Sequence, residues 1–214
     1  TGDGNTAVGY LTLNANTTGA SNTAVGLQSL DANTTGGSNT AVGSGSLGAN
    51  TTASNNTAVG KNALAATTVG HTNTAVGVEA GKAVTTGDNN ISIGYRALYT
   101  EDTGNRSVAI GDYALTVQNN DDSNYNVAVG YAAGTAVTTG KYNTAVGGLA
   151  LDANTTASSN TAVGYNALSA NTTASFNSAF GENALVANTT GATNDAFGYY
   201  ALSANTTGST NVAF

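Results

Sequence analysis

The sequence has no cysteine, proline, methionine or tryptophan, and it has only one histidine. Without cysteine, neither a disulfide framework nor a thiolate metal site can form. Charged residues are also scarce, at 8 % of 214 residues, against roughly a quarter in ordinary soluble proteins. The sequence therefore predicts a surface covered by Asn, Thr, Ser and Gly, which are polar but neutral.

The few charges argue against some partners. Five Lys and Arg residues against twelve Asp and Glu residues give a net charge of −7, whereas phosphate binding needs clustered Lys and Arg. No apolar run approaches the roughly 20 residues that a bilayer-spanning helix needs. We therefore expect no nucleic-acid partner, no membrane span in this segment and no cofactor.

The chain is instead built on one motif, Asn-Thr-Ala-Val-Gly, which first occurs at residues 5–9 and recurs to the end. Its glycines are 17 residues apart, except for a spacing of 19 between Gly111 and Gly130. A short fixed period predicts stacked structural units. We interpret residues 1–214 as a single repeat array with an irregular coil, carrying a two-residue insertion, around 112–129. Because the chain begins and ends within repeats, we expect it to be a segment of a longer chain.

The repeat favours strands over helices. Gly or Asn-Thr-Thr interrupts the apolar pattern too often for a helix. Two stretches of each copy have strand character, as in Thr161–Val163 and near Ala167–Ala170. A strand that recurs without a long connection stacks on its own copy, parallel and in register, about 4.8 Å away. The predicted fold is all-β: a parallel β-solenoid (β-roll) of about 13 coils with 17 residues per coil.

Alternation along the first strand predicts which side chains fill the interior. The residue before the glycine is always large and apolar, as in Val8, Val25 and Val163. We expect it to point inward together with the residue two positions earlier. Leu168 and its equivalents, with the alanine two residues later, complete this inner face. The alanine between the two inward residues then lies outside, where a second chain can dock, so we predict a homo-oligomer.

Asparagine precedes the first strand in nearly every copy. Side-chain amides stacked in register can hydrogen-bond along the axis and satisfy backbone groups of the turns. We interpret the row as structural, together with the glycines Gly9, Gly26 and Gly164. The row comprises Asn5, Asn22, Asn39, Asn56, Asn73, Asn90, Asn126, Asn143, Asn160, Asn177, Asn194 and Asn211, with Ser107 as its one exception.

Two groups of copies resemble known families. The stretches Ser107-Val108-Ala109-Ile110-Gly111 and Asn126-Val127-Ala128-Val129-Gly130 resemble the head repeat of YadA-type trimeric autotransporter adhesins. The fuller copies at 143–159 and 160–176 look like the repeats of bacterial and phage tail-fibre-domain proteins. The resemblance implies a left-handed β-roll with three chains per rod and an extracellular role in attachment, at a cell or virion surface.

Little in the sequence indicates catalysis. His71 lies in a turn and has no nucleophile or base recurring beside it, so a catalytic triad is not expected. Around the irregular coil, Asp112, Asp121 and Asp122 form an acidic cluster with Glu101 and Asp102. Such oxygens can bind Ca²⁺. The alternative interpretation is a bulged surface turn that its charges keep soluble.

The recurring Asn-Thr-Thr also has two interpretations. It matches the N-glycosylation acceptor pattern, and it suits a tight turn whose side chains bond back to the backbone. Rows of adjacent threonines, such as Thr17 and Thr18, raise the possibility of ice binding, but neighbouring side chains of a strand point to opposite faces. The possible glycosylation sites are Asn16, Asn33, Asn50, Asn154, Asn171, Asn188 and Asn205.

The turn after each glycine varies and is rich in tyrosine, as at Tyr10, Tyr95 and Tyr131. Such turns suit contacts with a cell-surface receptor or a glycan, and they equally suit a surface that tolerates change. Our leading hypothesis is a non-enzymatic fibre segment, the shaft or head of a surface adhesin or phage-type tail fibre. The alternatives are a self-assembling extracellular filament, glycosylated or not, and an ice-binding solenoid.

Overall fold

A computed structural model describes residues 2–214 of the chain. These residues form thirteen short strands and no helix. The strands are β1 (Thr6–Val8), β2 (Thr23–Val25), β3 (Thr40–Val42), β4 (Thr57–Val59), β5 (Thr74–Val76), β6 (Ile91–Ile93), β7 (Val108–Ile110), β8 (Val127–Val129), β9 (Thr144–Val146), β10 (Thr161–Val163), β11 (Ser178–Phe180), β12 (Asp195–Phe197) and β13 (Val212–Ala213).

All thirteen strands belong to one parallel sheet, in which they follow one another in chain order. Neighbouring strands pair in register, so that Ala7 lies opposite Ala24. The register survives the irregular coil, because Ala109 lies opposite Ala128. The predicted all-β parallel β-solenoid, with one coil for each repeat of about 17 residues, is thus confirmed.

The prediction of a second strand in each repeat is wrong. Residues 167–170 lie in a turn. Asn166, just before them, and Leu168, within them, have positive φ angles of 55° and 52°. Left-handed backbone at alternate residues bends the chain sharply. The turn still bonds to the next coil, since Leu168 N–H donates to the Ala184 carbonyl at 3.0 Å. Leucine rarely adopts this conformation, which is why the sequence favours a strand here.

The predicted orientation of the first strand is also wrong. The central alanine points into the coil, and Ala162 is fully buried, while Thr161 and Val163 on either side of it stay partly exposed. Val8 and Val25, which we expect to be inside, are likewise exposed and half-buried. The turn packs directly against the sheet, since a Cβ placed on Gly134, the equivalent of Leu168, would lie 3.9 Å from the Cβ of Ala128 in the same coil. The central strand position is therefore filled by the methyl group of alanine, and the larger valine lies outside.

The interior is therefore narrow and filled by few atoms. Leu168 is fully buried, and its companion is Ala167, the residue before it; Ala170, predicted to complete the inner face, stays half-buried. Two coils have glycine in place of the leucine, Gly81 and Gly134. In both, the residue three positions later is a buried valine, Val84 in one and Val137 in the other, which replaces the missing apolar volume.

The glycine after each strand is required by a close approach between coils. Gly164 has a φ angle of +140°, and a Cβ placed on it would lie 2.4 Å from the carbonyl oxygen of Gly181 in the next coil. Side-chain-bearing residues rarely adopt that φ angle. The glycine row therefore lets successive coils stack at strand spacing.

Candidate functional site

The outer surface of the sheet carries two columns of side chains, in register from coil to coil, which we call the outward face. Because side chains alternate along a strand and the central alanine points inward, the first and third residues of every strand point outward. The first column comprises Thr6, Thr23, Thr40, Thr57, Thr74, Ile91, Val108, Val127, Thr144, Thr161, Ser178, Asp195 and Val212. The second comprises Val8, Val25, Val42, Val59, Val76, Ile93, Ile110, Val129, Val146, Val163, Phe180, Phe197 and Phe214.

The outward face is long, almost uncharged and largely apolar. Asp195 is its one charged residue. Its exposed side chains include Val76 and Ile91, each with 37 % of its surface accessible, and Val8 with 58 %. Twelve strand spacings give it a length of about 60 Å, and three residues a width of about 10 Å. Its area is therefore about 600 Å², of which the second column is the continuous apolar part, and patches that rank as the largest on a protein surface are often functional.

The composition of the outward face changes in blocks. In β6–β8 the threonine of the first column is replaced by Ile91, Val108 and Val127. In the last three coils the second column becomes aromatic. There the Phe180 and Phe197 rings stack with centroids 5.0 Å apart, and Phe197 and Phe214 follow at 5.7 Å. Threonine with valine fills most of the remaining positions.

The asparagine row before the strands forms a buried ladder. The backbone N–H of Asn22 donates to Asn5 Oδ1 at 2.8 Å, and Asn22 Nδ2 donates to the Gly36 carbonyl at 2.9 Å. Asn160 repeats both contacts, accepting from the Asn177 N–H and donating to the Ala174 carbonyl, each at 2.9 Å. The row thus satisfies backbone groups of two successive coils, which assigns it a structural role.

The asparagines of the Asn-Thr-Thr turns form a second ladder. Asn33 Nδ2 donates to Asn16 Oδ1 at 2.8 Å and to the Gly36 carbonyl at 3.0 Å, and Asn205 Nδ2 donates to Asn188 Oδ1 at 3.1 Å. The side chains of Asn33, Asn50, Asn154, Asn171 and Asn188 are fully buried. A glycan is carried on Nδ2, and at these five positions Nδ2 faces the interior of the coil. The turn interpretation therefore fits the folded chain, and the glycosylation hypothesis does not fit it there.

Asn50 illustrates how the second ladder depends on its neighbours. Its Nδ2 donates to Asn33 Oδ1 at 2.8 Å, but its own Oδ1 is buried without a hydrogen-bond partner within residues 2–214. The equivalent residue of the next coil is Thr67, which has no side-chain amide to donate to Asn50 Oδ1. Breaks in the ladder are thus a direct result of the sequence.

The threonines of the Asn-Thr-Thr turns are also engaged within the chain. The hydroxyl of Thr17 donates to the Thr34 carbonyl at 2.9 Å, and the hydroxyl of Thr34 donates to the Thr51 carbonyl at 3.0 Å. Thr155 and Thr189 repeat this bond at 3.2 and 3.0 Å. The hydroxyls of this row therefore tie successive coils together.

The irregular coil contains a buried carboxylate that sequence reasoning misplaces. Glu101, expected in an acidic surface cluster, is fully buried. Its Oε2 accepts from Gln118 Nε2 at 2.7 Å and Asn124 Nδ2 at 3.0 Å, and its Oε1 accepts from the Gly104 N–H at 2.9 Å. Burial raises the pKa of the Glu101 carboxyl, and the hydrogen bonds oppose that rise. The signal for its burial is its place in the repeat, which is that of Asn33 in a regular coil.

Gln118 joins the two ladders where the first is broken. Ser107 is too short to reach the next coil as an asparagine does. Gln118 Nε2 donates to Ser107 Oγ at 2.7 Å, and Gln118 Oε1 accepts from Asn126 Nδ2, also at 2.7 Å. The two inserted residues therefore accompany a local rearrangement of buried polar groups, and the sheet beyond them is unchanged.

The three aspartates considered for Ca²⁺ have separate partners. Asp112 accepts from the Tyr95 N–H at 2.7 Å, Asp121 from the Thr103 hydroxyl at 2.8 Å, and Asp122 forms an ion pair with Lys141 at 2.9 Å. The hydrogen bond from Lys141 lowers the pKa of Asp122. Within residues 2–214 no group of three or more acidic or histidine side chains is placed to hold a metal ion. The metal interpretation therefore has no geometric support.

His71 and the tyrosine turns lie on the surface. His71 Nδ1 accepts from the Ser54 N–H at 2.9 Å, as a turn residue of one coil meeting the next. Tyr95 and Tyr113 meet edge to face at 5.3 Å, and Arg96 lies 5.1 Å from the Tyr95 ring while pairing with Glu79 at 2.8 Å. These contacts brace neighbouring turns against each other. The part of the chain that the structure describes has no pocket beside them.

Comparisons with known proteins give no relative for this chain. No protein-family model matches it, and neither curated proteins nor solved structures include a match. From Gly2 to Phe214 there is no helix long and apolar enough to cross a membrane. The outward face is therefore the feature of the molecule from which a function is inferred.

Proposed function

We propose that the chain is a non-enzymatic structural segment of a fibre, in which three copies pack together through their outward faces around a common axis. The fibre, with left-handed coils as the family resemblance implies, extends from a cell or virion surface and supports attachment there. The observation that carries the proposal is the outward face itself, whose column of Val, Ile and Phe side chains runs along all thirteen coils.

The size of the outward face supports self-association. Two copies would bury about 600 Å² each, or about 1,200 Å² together, which lies at the lower limit of specific interfaces. A third copy around the same axis adds further contact area to each chain. The face also matches itself, because every copy presents the same columns at the same spacing. This moves the predicted seam between chains from the alanine row to the Thr and Val columns.

The internal ladders support a mechanical role. Asn, Thr and backbone groups bond each coil to the next along the whole array, as in Asn39 N–H to Asn22 Oδ1 at 2.9 Å and the Thr138 hydroxyl to the Thr155 carbonyl at 3.1 Å. Because each coil contacts only its neighbours, rod length scales with repeat number. A variable turn surface on such a rod suits contacts with a receptor or glycan.

A charge placed on the outward face tests the proposal. We expect V129K/V146K to sediment as a single chain under conditions in which the wild type sediments as a trimer, because the two lysines would be buried between copies. The control is Y131K, which puts a lysine on a turn residue with 61 % of its surface exposed and leaves the assembly intact. Trimers of V129K/V146K would contradict the proposal.

One observation favours ice binding as a second candidate function. The hydroxyl-bearing column of the outward face, including Thr6, Thr23 and Thr40, is regular and lies on a rigid sheet. This is a different row from Thr17 and its equivalents, whose hydroxyls bond within the chain. Thermal hysteresis of the wild type that T40V/T57V/T74V reduces would support this function. Absence of hysteresis in the wild type would reject it.

A further inference from the structure

A repetitive interface has a register problem. If every coil presented the same threonine and valine, two copies could slide by one or more coils and regain the same contacts in all the coils that still overlap. A slid arrangement leaves unmatched coils at each end, so further copies can add and the assembly grows without closing. A fibre segment that closes as a trimer therefore needs coils that differ from the rest of the outward face.

The outward face contains two such blocks. The first is the hydroxyl-free block Ile91, Val108 and Val127, in three successive strands. The second is the aromatic block Phe180, Phe197 and Phe214, whose rings stack along the axis. Neither block repeats elsewhere along the two columns. From this arrangement, and resting on the proposed trimer, we infer that the two blocks are register keys that align the copies coil by coil.

The physical basis is the pairing of like with like. In register, Ile91, Val108 and Val127 meet their own copies, and threonine meets threonine, which can share a hydrogen bond. A slip by one coil places Thr74 or Thr144 against an apolar partner at each end of the block. A hydroxyl buried without a partner is unfavourable. The same slip sets Phe180 against the smaller Val163 and leaves a gap.

The test is to erase the first key by giving it the threonine of the neighbouring coils, a change that keeps the shape of Val108 and Val127 and shortens Ile91. In I91T/V108T/V127T, the first column is threonine in every strand from β1 to β10. A slip by one coil then no longer leaves a threonine hydroxyl without a partner in this region. A matched control has three Val-to-Thr changes at exposed turn residues, V69T/V78T/V117T. These side chains lie off the outward face, with 43 %, 44 % and 40 % of their surfaces exposed. Circular dichroism on both variants verifies that the fold is kept.

Cross-linking reads the register directly, because the chain has no cysteine of its own. Chains carrying T161C are mixed with chains carrying T144C and treated with a short bismaleimide. In the otherwise wild-type background we expect like pairs to exceed mixed pairs. In I91T/V108T/V127T we expect the ratio of mixed to like pairs to rise at least about tenfold, the effect of a single unpaired buried hydroxyl, and light scattering to show polydisperse assemblies.

The outcomes separate this inference from the proposed function. A wild type that is a single chain at all concentrations would overturn the proposed trimer and the register keys with it. A wild-type trimer, together with an I91T/V108T/V127T trimer that has unchanged cross-links, would leave the proposed trimer standing and overturn the inference that Ile91, Val108 and Val127 are a register key. Loss of register in V69T/V78T/V117T as well would also overturn the inference, because its residues lie off the outward face.

Discussion

Gln118 Nε2 donates to Glu101 Oε2 at 2.7 Å in the interior of the rod, where both side chains are fully buried. In the regular coils the equivalent contact joins two asparagines, such as Asn33 and Asn16. A carboxylate thus occupies a position at which the regular coils have a neutral side-chain amide. No lysine or arginine is among the hydrogen-bond partners that Glu101 has within the described chain.

This contact predicts a specific pH dependence. Burial raises the folded-state pKa of Glu101 above the ordinary value of 4.5. The folded chain therefore holds this proton more tightly than the unfolded chain, and the stability gained is fully present below pH 4.5 and lost as pH rises through the folded-state pKa. We expect the free energy of unfolding of E101Q, minus that of the wild type, to increase between pH 4 and pH 7.

Denaturant titrations at several pH values measure that difference. Contributions from the other titratable groups cancel in the comparison, and D121N serves as a control for removing one negative charge at an exposed position. A difference that stays constant over this pH range would show that the Glu101 pKa is the same in the folded and unfolded chains.

A second prediction concerns the orientation of the first strand. In A162V two methyl groups are added to a full interior, and we expect a loss of about 1–3 kcal/mol in the free energy of unfolding. V163T changes an outward residue while keeping its shape. It is partly exposed in the single chain, and in the proposed trimer it meets its own copies, with which its hydroxyl can share a hydrogen bond, so a loss of about 1 kcal/mol or less is expected. Chemical denaturation of both variants makes the comparison. The reverse order would mean that valine, not alanine, fills the interior.

A third prediction tests the glycine row. In G60A a methyl group would lie 2.4 Å from the Gly77 carbonyl oxygen, on a residue with a φ angle of +133°. We expect a loss of about 3 kcal/mol or more, from strain and from separation of the coils. G148A is the control, because its Cβ would make only ordinary van der Waals contacts, with the Tyr165 ring at 3.5 Å and the Tyr131 carbonyl oxygen at 3.9 Å. Equal thermal midpoints for the two variants would refute the close stacking.

A fourth prediction concerns the compensating pair Gly134 and Val137. G134L alone places its side chain in a space whose Cβ position is 3.0 Å from Leu115 Cδ2 and 3.4 Å from Val137 Cγ2. V137N alone removes apolar volume. Together they restore the regular Leu and Asn pattern, so we expect a favourable coupling energy of about 1 kcal/mol or more in a double-mutant cycle. Additive losses would mean that the two positions are independent.

The period made the coil, the parallel register and the asparagine row predictable, because identical residues 17 apart must stack on one another. The face of the strand that points into the coil is not predictable in the same way. Alternation separates Ala162 from Thr161 and Val163, but it does not say which face is inside, and the turn that decides this depends on a left-handed conformation at Leu168. The general rule that large apolar residues are buried therefore assigns the two faces of this strand wrongly.

Glu101 was misplaced for a related reason. Its charge and its acidic neighbours suggest a surface cluster, while its position in the repeat is that of the buried Asn33 and Asn50. In a repeat array the position within the repeat predicts burial better than the residue type does, because the backbone of every coil follows the same path. The aspartates that follow it in the irregular coil are surface residues, as the charge-based interpretation expects.

The native mass of the wild-type chain shows whether the outward faces are buried between copies. Light scattering in dilute buffer with chelator present should give three times the chain mass of 20.9 kDa, because the outward faces are buried between three copies. A native mass of one chain at all accessible concentrations would contradict the account, and would leave a solitary solenoid with its apolar strip open to water.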